Sequence, residues 1–173
     1  GPAESLRVWL SKNDLWKSRE YYPNGSICML GWIDIVTDRP AGARYHMEQA
    51  LYEAEVHGNF RHNAARPPYT LTIRAWVAAT ENLLVLELQA EDSPIPLDIT
   101  LNVKDGNGAY TASGPLTDGQ WITRAFRASD LLWPTEAAAA MRILHHAKTA
   151  LPREALGWPE ERFILAPGSP VTV

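Results

Sequence analysis

The sequence contains very little cysteine and no long apolar run. Its one thiol, Cys28, cannot form an internal disulfide bond. Cys28 lies in the apolar segment ICMLGWI, where a buried, inert thiol is expected rather than a nucleophile. No segment approaches the roughly 18 apolar residues that a membrane-spanning helix requires, so we expect no membrane partner.

Patterns typical of metal sites, phosphate sites and nucleic-acid surfaces are also missing. The net charge of −4 comes without any cluster of Lys and Arg, which argues against a nucleic-acid partner. The five histidines show no zinc-binding spacing, and the adjacent His145 and His146 would point apart. The sequence has no Gly-x-Ser-x-Gly elbow, and we interpret Gly-Asn-Gly at 106–108 as a hairpin turn. We therefore expect neither a metal nor a cofactor.

One pair of carboxylates leaves an enzymatic alternative open. Glu53 and Glu55 lie two residues apart in the predicted strand 51–60. At strand spacing they would share one face, about 6–7 Å apart, which suits an inverting glycosidase. Charges at every second position are also common on any solvated strand face. A small self-contained glycoside hydrolase or lyase is therefore the alternative to a non-catalytic module.

The sequence does contain a regular series of short apolar runs, punctuated by 13 prolines and 11 glycines. This spacing predicts an all-β fold, an antiparallel β-sandwich, and the length suits a single domain over 1–173. The run 95–103 alternates apolar and polar residues, as a strand with one solvated face does. The predicted strands are 5–10, 27–36, 51–60, 69–78, 83–90, 95–103, 120–128 and 162–166.

Three tryptophans fall on the polar side of their predicted strands. Trp9, Trp32 and Trp76 each alternate with the aliphatic residues of their own strand and neighbour Arg or Asp. Indole rings beside such groups suit sugars, whose C–H faces stack on rings and whose hydroxyls need paired donors and acceptors. The opposite interpretation is that a second layer of protein covers these rings, because monomers rarely expose large apolar patches.

The segment LSKNDLWKSREYYPNG at 10–25 adds further rings and amides, and we interpret it as a connection near a ligand. A structural corner, with Asp14 capping a turn and Trp16 filling the end of the sandwich, is the alternative. The candidate carbohydrate-binding residues are therefore Trp9, Asn13, Asp14, Trp16, Tyr21, Tyr22, Trp32 and Trp76.

Several segments resemble a known family. They are LRVWLSKNDLW, MLGWIDIV, YHMEQALYEAEVHGNF, IRAWVAATENLLVLEL and FILAPGSPVTV. Together they resemble the N-terminal β-sandwich domain of large glycosidases of the α-L-fucosidase family, glycoside hydrolase family 95, and its relatives. Each motif is short, but the similarity extends over nearly the whole chain.

The resemblance implies a supersandwich-type domain that packs on a helical catalytic toroid. The acid and base carboxylates of the family belong to that toroid and have no counterparts here, so we expect no catalytic activity from this chain alone. The expected function is a carbohydrate-binding or supporting module, excised from a larger secreted or periplasmic enzyme of polysaccharide degradation. Its partners would be a glycan and the adjacent catalytic domain. Docking to another protein through the tryptophans is the third possibility.

The alanine-rich segment 135–151 is predicted differently by two arguments. Four consecutive alanines after Thr135 and Glu136 favour a helix by propensity. The resemblance implies a strand at this place, and tertiary context can override propensity. We predict a strand over 137–145, with one short helix near 147–156.

Overall fold

The computed structural model describes residues 3–17, 26–40, 42–63, 67–106, 108–127, 134–145, 161–165, 167–168 and 170–173. Their secondary structure is entirely β, which confirms the predicted all-β, sandwich-type fold. The strands are β1 (Ala3–Lys17), β2 (Ser26–Pro40), β3 (Arg44–Ala50), β4 (Glu55–His62), β5 (Tyr69–Val77), β6 (Leu84–Glu91), β7 (Ile95–Val103), β8 (Tyr110–Leu116), β9 (Gly119–Phe126), β10 (Thr135–Arg142), β11 (Leu144–His145), β12 (Glu161–Leu165) and β13 (Val171–Thr172).

The strands form three antiparallel sheets. Sheet A has the order β1-β2-β7-β12, sheet B the order β11-β13-β6-β5-β4-β3, and sheet C the order β10-β9-β8. Buried aliphatic residues of all three sheets contact one another in a single core. Sheets A and B therefore face each other, and sheet C closes part of the same core.

Alternation along the strands separates this core from the outer faces. In β7, Ile95, Leu97, Ile99 and Leu101 are buried, and the residues between them are only half-buried. The same alternation places Trp9, Trp32 and Trp76 opposite the aliphatic residues of their strands, as predicted.

Sheet C is attached to sheet A by polar side chains. Strand β12 pairs with β7 only from Ile95 to Ile99, and beyond it the amide of Leu101 donates to Gln120 Oε1 at 2.7 Å. The side chain of Arg124 is only 1% exposed and lies 4.9 Å over the ring of Phe126. Its guanidinium donates to two backbone carbonyls, those of Met29 and Gly106. These bonds tie sheet C to β2 and to the segment that follows β7.

The strand predicted over 51–60 is wrong at its start. Residues 44–62 form a hairpin of β3 and β4 with a turn at 51–54, so the predicted strand is confirmed over 55–60 only. The turn contains no Gly, Pro, Asn or Asp, and Ala54 takes the left-handed conformation at φ 56°. Glu53 is in this turn and Glu55 begins β4, so the two carboxylates do not share a strand face.

Other boundaries also differ from the prediction. Strand β1 continues to Lys17, so the segment 10–17 is an irregular strand rather than a connection. The glycines at 106 and 108 do not form a hairpin turn, because β7 and β8 belong to different sheets. Strand β8 was not predicted, since its sequence YTASGPL contains both Gly and Pro.

The strand predicted over 137–145 is confirmed as β10 and β11. All eight residues of β10 pair with β9, from Thr135 opposite Phe126 to Arg142 opposite Gly119. The helix predicted near 147–156 lies outside the described residues.

Cys28 is half-buried and packs against the core. In the described residues, no helix is long and apolar enough to span a membrane.

Candidate functional site

Two of the predicted tryptophans are neighbours on the outer face of sheet A. Trp9 of β1 and Trp32 of β2 are directly opposite each other in the strand register. Their ring centroids are 5.4 Å apart and the ring planes meet at 62°, an edge-to-face arrangement. Trp9 is 54% exposed and Trp32 half-buried, so the pair presents indole surface to solvent.

Asp34 holds this pair in place through three donor side chains. Arg7 makes a bidentate contact with it, Nε to Oδ1 at 2.7 Å and Nη2 to Oδ2 at 3.0 Å. Trp32 Nε1 donates to Oδ2 at 2.9 Å, and Asn102 Nδ2 reaches the same oxygen at 3.4 Å. The hydrogen bond to Asp34 raises the pKa of Arg7. The guanidinium of Arg7 therefore keeps its charge.

The guanidinium of Arg7 lies against both rings. Its central carbon is 5.1 Å from the ring centroid of Trp9 and 4.8 Å from that of Trp32, within cation–π range. Two indoles, one guanidinium and one carboxylate thus fix one another. Because all four side chains are on paired strands, the arrangement is formed before any ligand arrives.

Strand β7 extends the same surface with small polar groups. Thr100 is opposite Asp34 and Asn102 is opposite Trp32 in the register of β2 and β7. Asn102 Nδ2 donates to Thr100 Oγ1 at 3.1 Å. Among the described residues, none donates a hydrogen bond to the amide oxygen of Asn102. We call this surface the tryptophan face; its residues are Arg7, Trp9, Trp32, Asp34, Thr100 and Asn102.

A groove of about 550 Å³ runs from the tryptophan face to sheet C. Its far wall includes Ser113 of β8 and Trp121 of β9. Trp121 lies on Gly114, its partner across the strands: a Cβ there would come within 2.8 Å of the indole nitrogen. A glycine under an aromatic ring leaves room for the ring to lie flat on the strand. The groove therefore has Asp34, Thr100 and Asn102 of the tryptophan face on one side and Trp121 on the other.

Sequence reasoning did not identify Trp121, Thr100 or Asn102 as candidate site residues. In β9, the buried residues Gln120, Ile122, Arg124 and Phe126 alternate with Trp121, so the same parity argument would have found it. For Thr100 and Asn102 the alternation of β7 indicated a solvated position. The alternation within β7 does not show that β7 pairs with β2, so it could not place these residues beside Trp32 and Asp34.

The predicted residues Asn13, Asp14 and Trp16 belong to a bulge of β1. Ser11 pairs with Met29 and Trp16 with Ile27, so four residues of β1 are opposite a single residue of β2. The indole nitrogen of Trp16 donates to the carbonyl of Asn13, and its carbonyl accepts from Thr135 Oγ1 at 2.6 Å. A hydrogen bond from Lys12 lowers the pKa of Asp14. These contacts hold the bulge together and join it to β10.

Other predicted residues are not brought to the tryptophan face. The predicted Tyr21 and Tyr22 lie outside the described residues. Trp76 belongs to sheet B, whose outer face is turned away from that of sheet A. Its ring is 4.6 Å from the guanidinium of Arg74, which binds Glu55 at 2.8 Å and Glu87 at 3.3 Å. Trp76 is therefore covered by an ion-pair network.

No family model, no curated protein and no solved structure matches this chain.

Two carboxylates on the outer faces of the sheets are held by other side chains. Asp34 accepts hydrogen bonds from three side chains, and Glu55 is held by Arg74 and His57, so each carboxylate is engaged within the protein. The hydrogen bond to Arg74 lowers the pKa of Glu55, which suits a permanent anion rather than a proton donor. Among the described residues, no group of three or more His, Cys, Asp or Glu side chains could hold a metal ion.

The Glu55 ion pair predicts a pH-dependent stability. Because folding lowers the pKa of Glu55, its contribution is present above the unfolded-state pKa of about 4.3 and is lost as pH falls through the folded-state value. Glu55→Gln should therefore lower the melting temperature at pH 7, and the difference from the wild type should shrink below about pH 4. Thermal melts across this range measure it, with Glu53→Gln in the turn as the control. If the variant and the wild type differed in melting temperature by the same amount at pH 7 and below about pH 4, the Glu55 ion pair would not be the cause.

Proposed function

We propose that the tryptophan face and its groove bind carbohydrate, and that this chain is a non-catalytic module of a glycoside hydrolase. The observation that carries the proposal is the exposed Trp9–Trp32 pair, fixed by Arg7 and Asp34 beside a groove whose far wall includes Trp121. Broad rigid rings bind at low entropic cost, and amide and hydroxyl groups beside them orient a ligand.

The charges of the face favour a neutral sugar. Arg7 and Asp34 form a bidentate pair, so a ligand meets hydrogen-bonding groups and aromatic surface with little net charge from these two side chains. Asn102 and Thr100 supply an amide and a hydroxyl, the partners that sugar hydroxyls require.

The parent enzyme is proposed from the sequence resemblance to the sandwich domain of α-L-fucosidase-family glycosidases. A domain of that kind would support an adjacent catalytic domain as well as bind glycan, in a secreted or periplasmic enzyme. Steady hydrolysis of aryl glycosides by this chain alone would contradict the non-catalytic part of the proposal. The acidic variants Glu55→Gln and Asp34→Asn would then identify the carboxylate responsible.

Binding is tested on a glycan array of plant, host and bacterial saccharides, followed by calorimetric titration of the best ligand. Trp9→Ala should weaken binding at least about tenfold, because it removes an exposed stacking ring without touching the core. Trp76→Ala, the matched tryptophan of sheet B, should leave the affinity unchanged. The proposal would be overturned if no saccharide on the array bound, or if Trp9→Ala and Trp76→Ala lost affinity equally.

A further inference from the structure

The edge of sheet B formed by β3 is not protected against pairing. Its seven residues pair with β4 in unbroken register from Arg44–Arg61 to Ala50–Glu55. The strand contains no proline, lysine or bulge, the features by which natural edge strands prevent association. In the described part of the chain, no strand pairs with its outer side. That row of backbone N–H and C=O groups is therefore available to another strand.

The core-side face of β3 is also uncovered. Tyr45 is 74% exposed and Met47 is 40% exposed, although both point toward the space between the sheets. They line an apolar groove of about 480 Å³ with Leu6 of β1 and Phe60 of β4. Tyr45 stacks on Phe60 with centroids 6.1 Å apart, so the exposed ring is held in place.

The opposite face of β3 carries Arg44, whose charge the sheet does not neutralise, and Glu48, which lies 3.6 Å from His46 of the same strand. Arg44 is directly opposite Arg61, a like-charge pair that destabilises neighbouring strands. In the described structure, neither arginine forms an ion pair. Glu48 is on the same face as Arg44 and four residues away, with His46 midway between them. The strand thus presents a positive and a negative group symmetrically about His46.

We propose that a second copy of this chain pairs with β3, antiparallel and centred on His46, to make a sheet continuous through both molecules. A two-fold axis through this centre puts Arg44 opposite Glu48 of the second copy, twice. It also puts Tyr45 opposite Met47 of the second copy, so apolar residues meet on the inner face. The carboxylate that Arg44 lacks within its own sheet is then supplied by the second copy.

Other registers fit less well. Pairing centred on Met47 would put Arg44 opposite Ala50 and Tyr45 opposite Gln49, leaving the arginine without a carboxylate and an aromatic ring against an amide. A shift by one residue would bring inner-face residues of one copy onto the outer face of the other. Charge and apolar complementarity therefore select the arrangement centred on His46.

The oligomeric state of charge-reversed variants, measured by sedimentation velocity, tests this register. The wild-type chain should be dimeric at about 100 µM. Arg44→Glu and Glu48→Arg should each weaken dimerisation at least about tenfold, since each reverses two symmetry-related pairs. An equimolar mixture of the two variants should form the dimer again, because the carboxylate introduced in one chain would then face the guanidinium introduced in the other.

Three controls make the result decisive. The double variant Arg44→Glu/Glu48→Arg should dimerise like the wild type, and Glu53→Arg in the turn should have no effect. Melting temperatures establish that each variant is folded. A monomeric wild type, single variants that dimerise unchanged, or a mixture that stays monomeric would each overturn the proposal.

Discussion

Gly31→Ala should lower the free energy of unfolding by about 3 kcal/mol or more. Gly31 is in the middle of β2, between Leu10 of β1 and Val103 of β7. A Cβ there would be 2.0 Å from the backbone oxygen of Asn102 and 2.8 Å from Ile122 Cδ1. The first contact is with backbone in the adjacent strand and cannot be relieved by a rotamer change. Strands β2 and β7 would have to separate.

The same separation should damage the tryptophan face. Trp32 follows Gly31 directly, and Asn102 supplies both the obstructing carbonyl and an amide of the face. Chemical denaturation measures the stability. Gly168→Ala is the control, because that residue has φ +75° but open space around it, so it should cost only about 1–2 kcal/mol. If Gly31→Ala were no worse than Gly168→Ala, the close approach of β2 and β7 would be wrong.

Arg124→Ala should be the most destabilising truncation of a polar residue, at about 3–5 kcal/mol. Among the described residues, Arg124 has the largest of the fully buried side chains, so its removal leaves a cavity. It also leaves the carbonyls of Met29 and Gly106 without this donor. Gly106 is exposed and its carbonyl also accepts from the amide of Ala109, so the larger cost falls on the carbonyl of Met29.

Arg124→Met separates the two contributions. Methionine restores most of the volume and removes a buried charge that forms no ion pair within the described residues, but it cannot donate to either carbonyl. We expect a loss of stability that is clearly smaller than for Arg124→Ala. Equilibrium urea unfolding gives both values. If Arg124→Ala had the wild-type midpoint, the guanidinium would be solvated rather than buried.

Local patterns in the sequence were sufficient to predict most of the strands. The alternation of 95–103 predicted β7 to the residue, and alternation also placed Trp9, Trp32 and Trp76 on outer faces. Both depend only on the two-residue period of a strand. The alanine-rich β10 needed more than propensity, because pairing with β9 over its whole length outweighs the preference of alanine for helix.

Strand order could not be predicted from such patterns. Trp9 and Trp32 are in neighbouring strands of sheet A, whereas Trp76 is in sheet B, and nothing local to these residues distinguishes them. The third tryptophan of the candidate site, Trp121, comes from sheet C. Arg124 was not expected in the core, because its partners are backbone carbonyls contributed by distant segments.

The tryptophan face and the core share the same strands but not the same residues. Positions 7, 9, 32, 34, 100 and 102 point outward, and the residues between them fill the sandwich. Substitutions on a solvated strand face away from the core usually change stability by only about 0.5 kcal/mol. The chemistry of this outer face can therefore diverge by point mutation in a descendant of this chain, with the scaffold beneath it inherited unchanged.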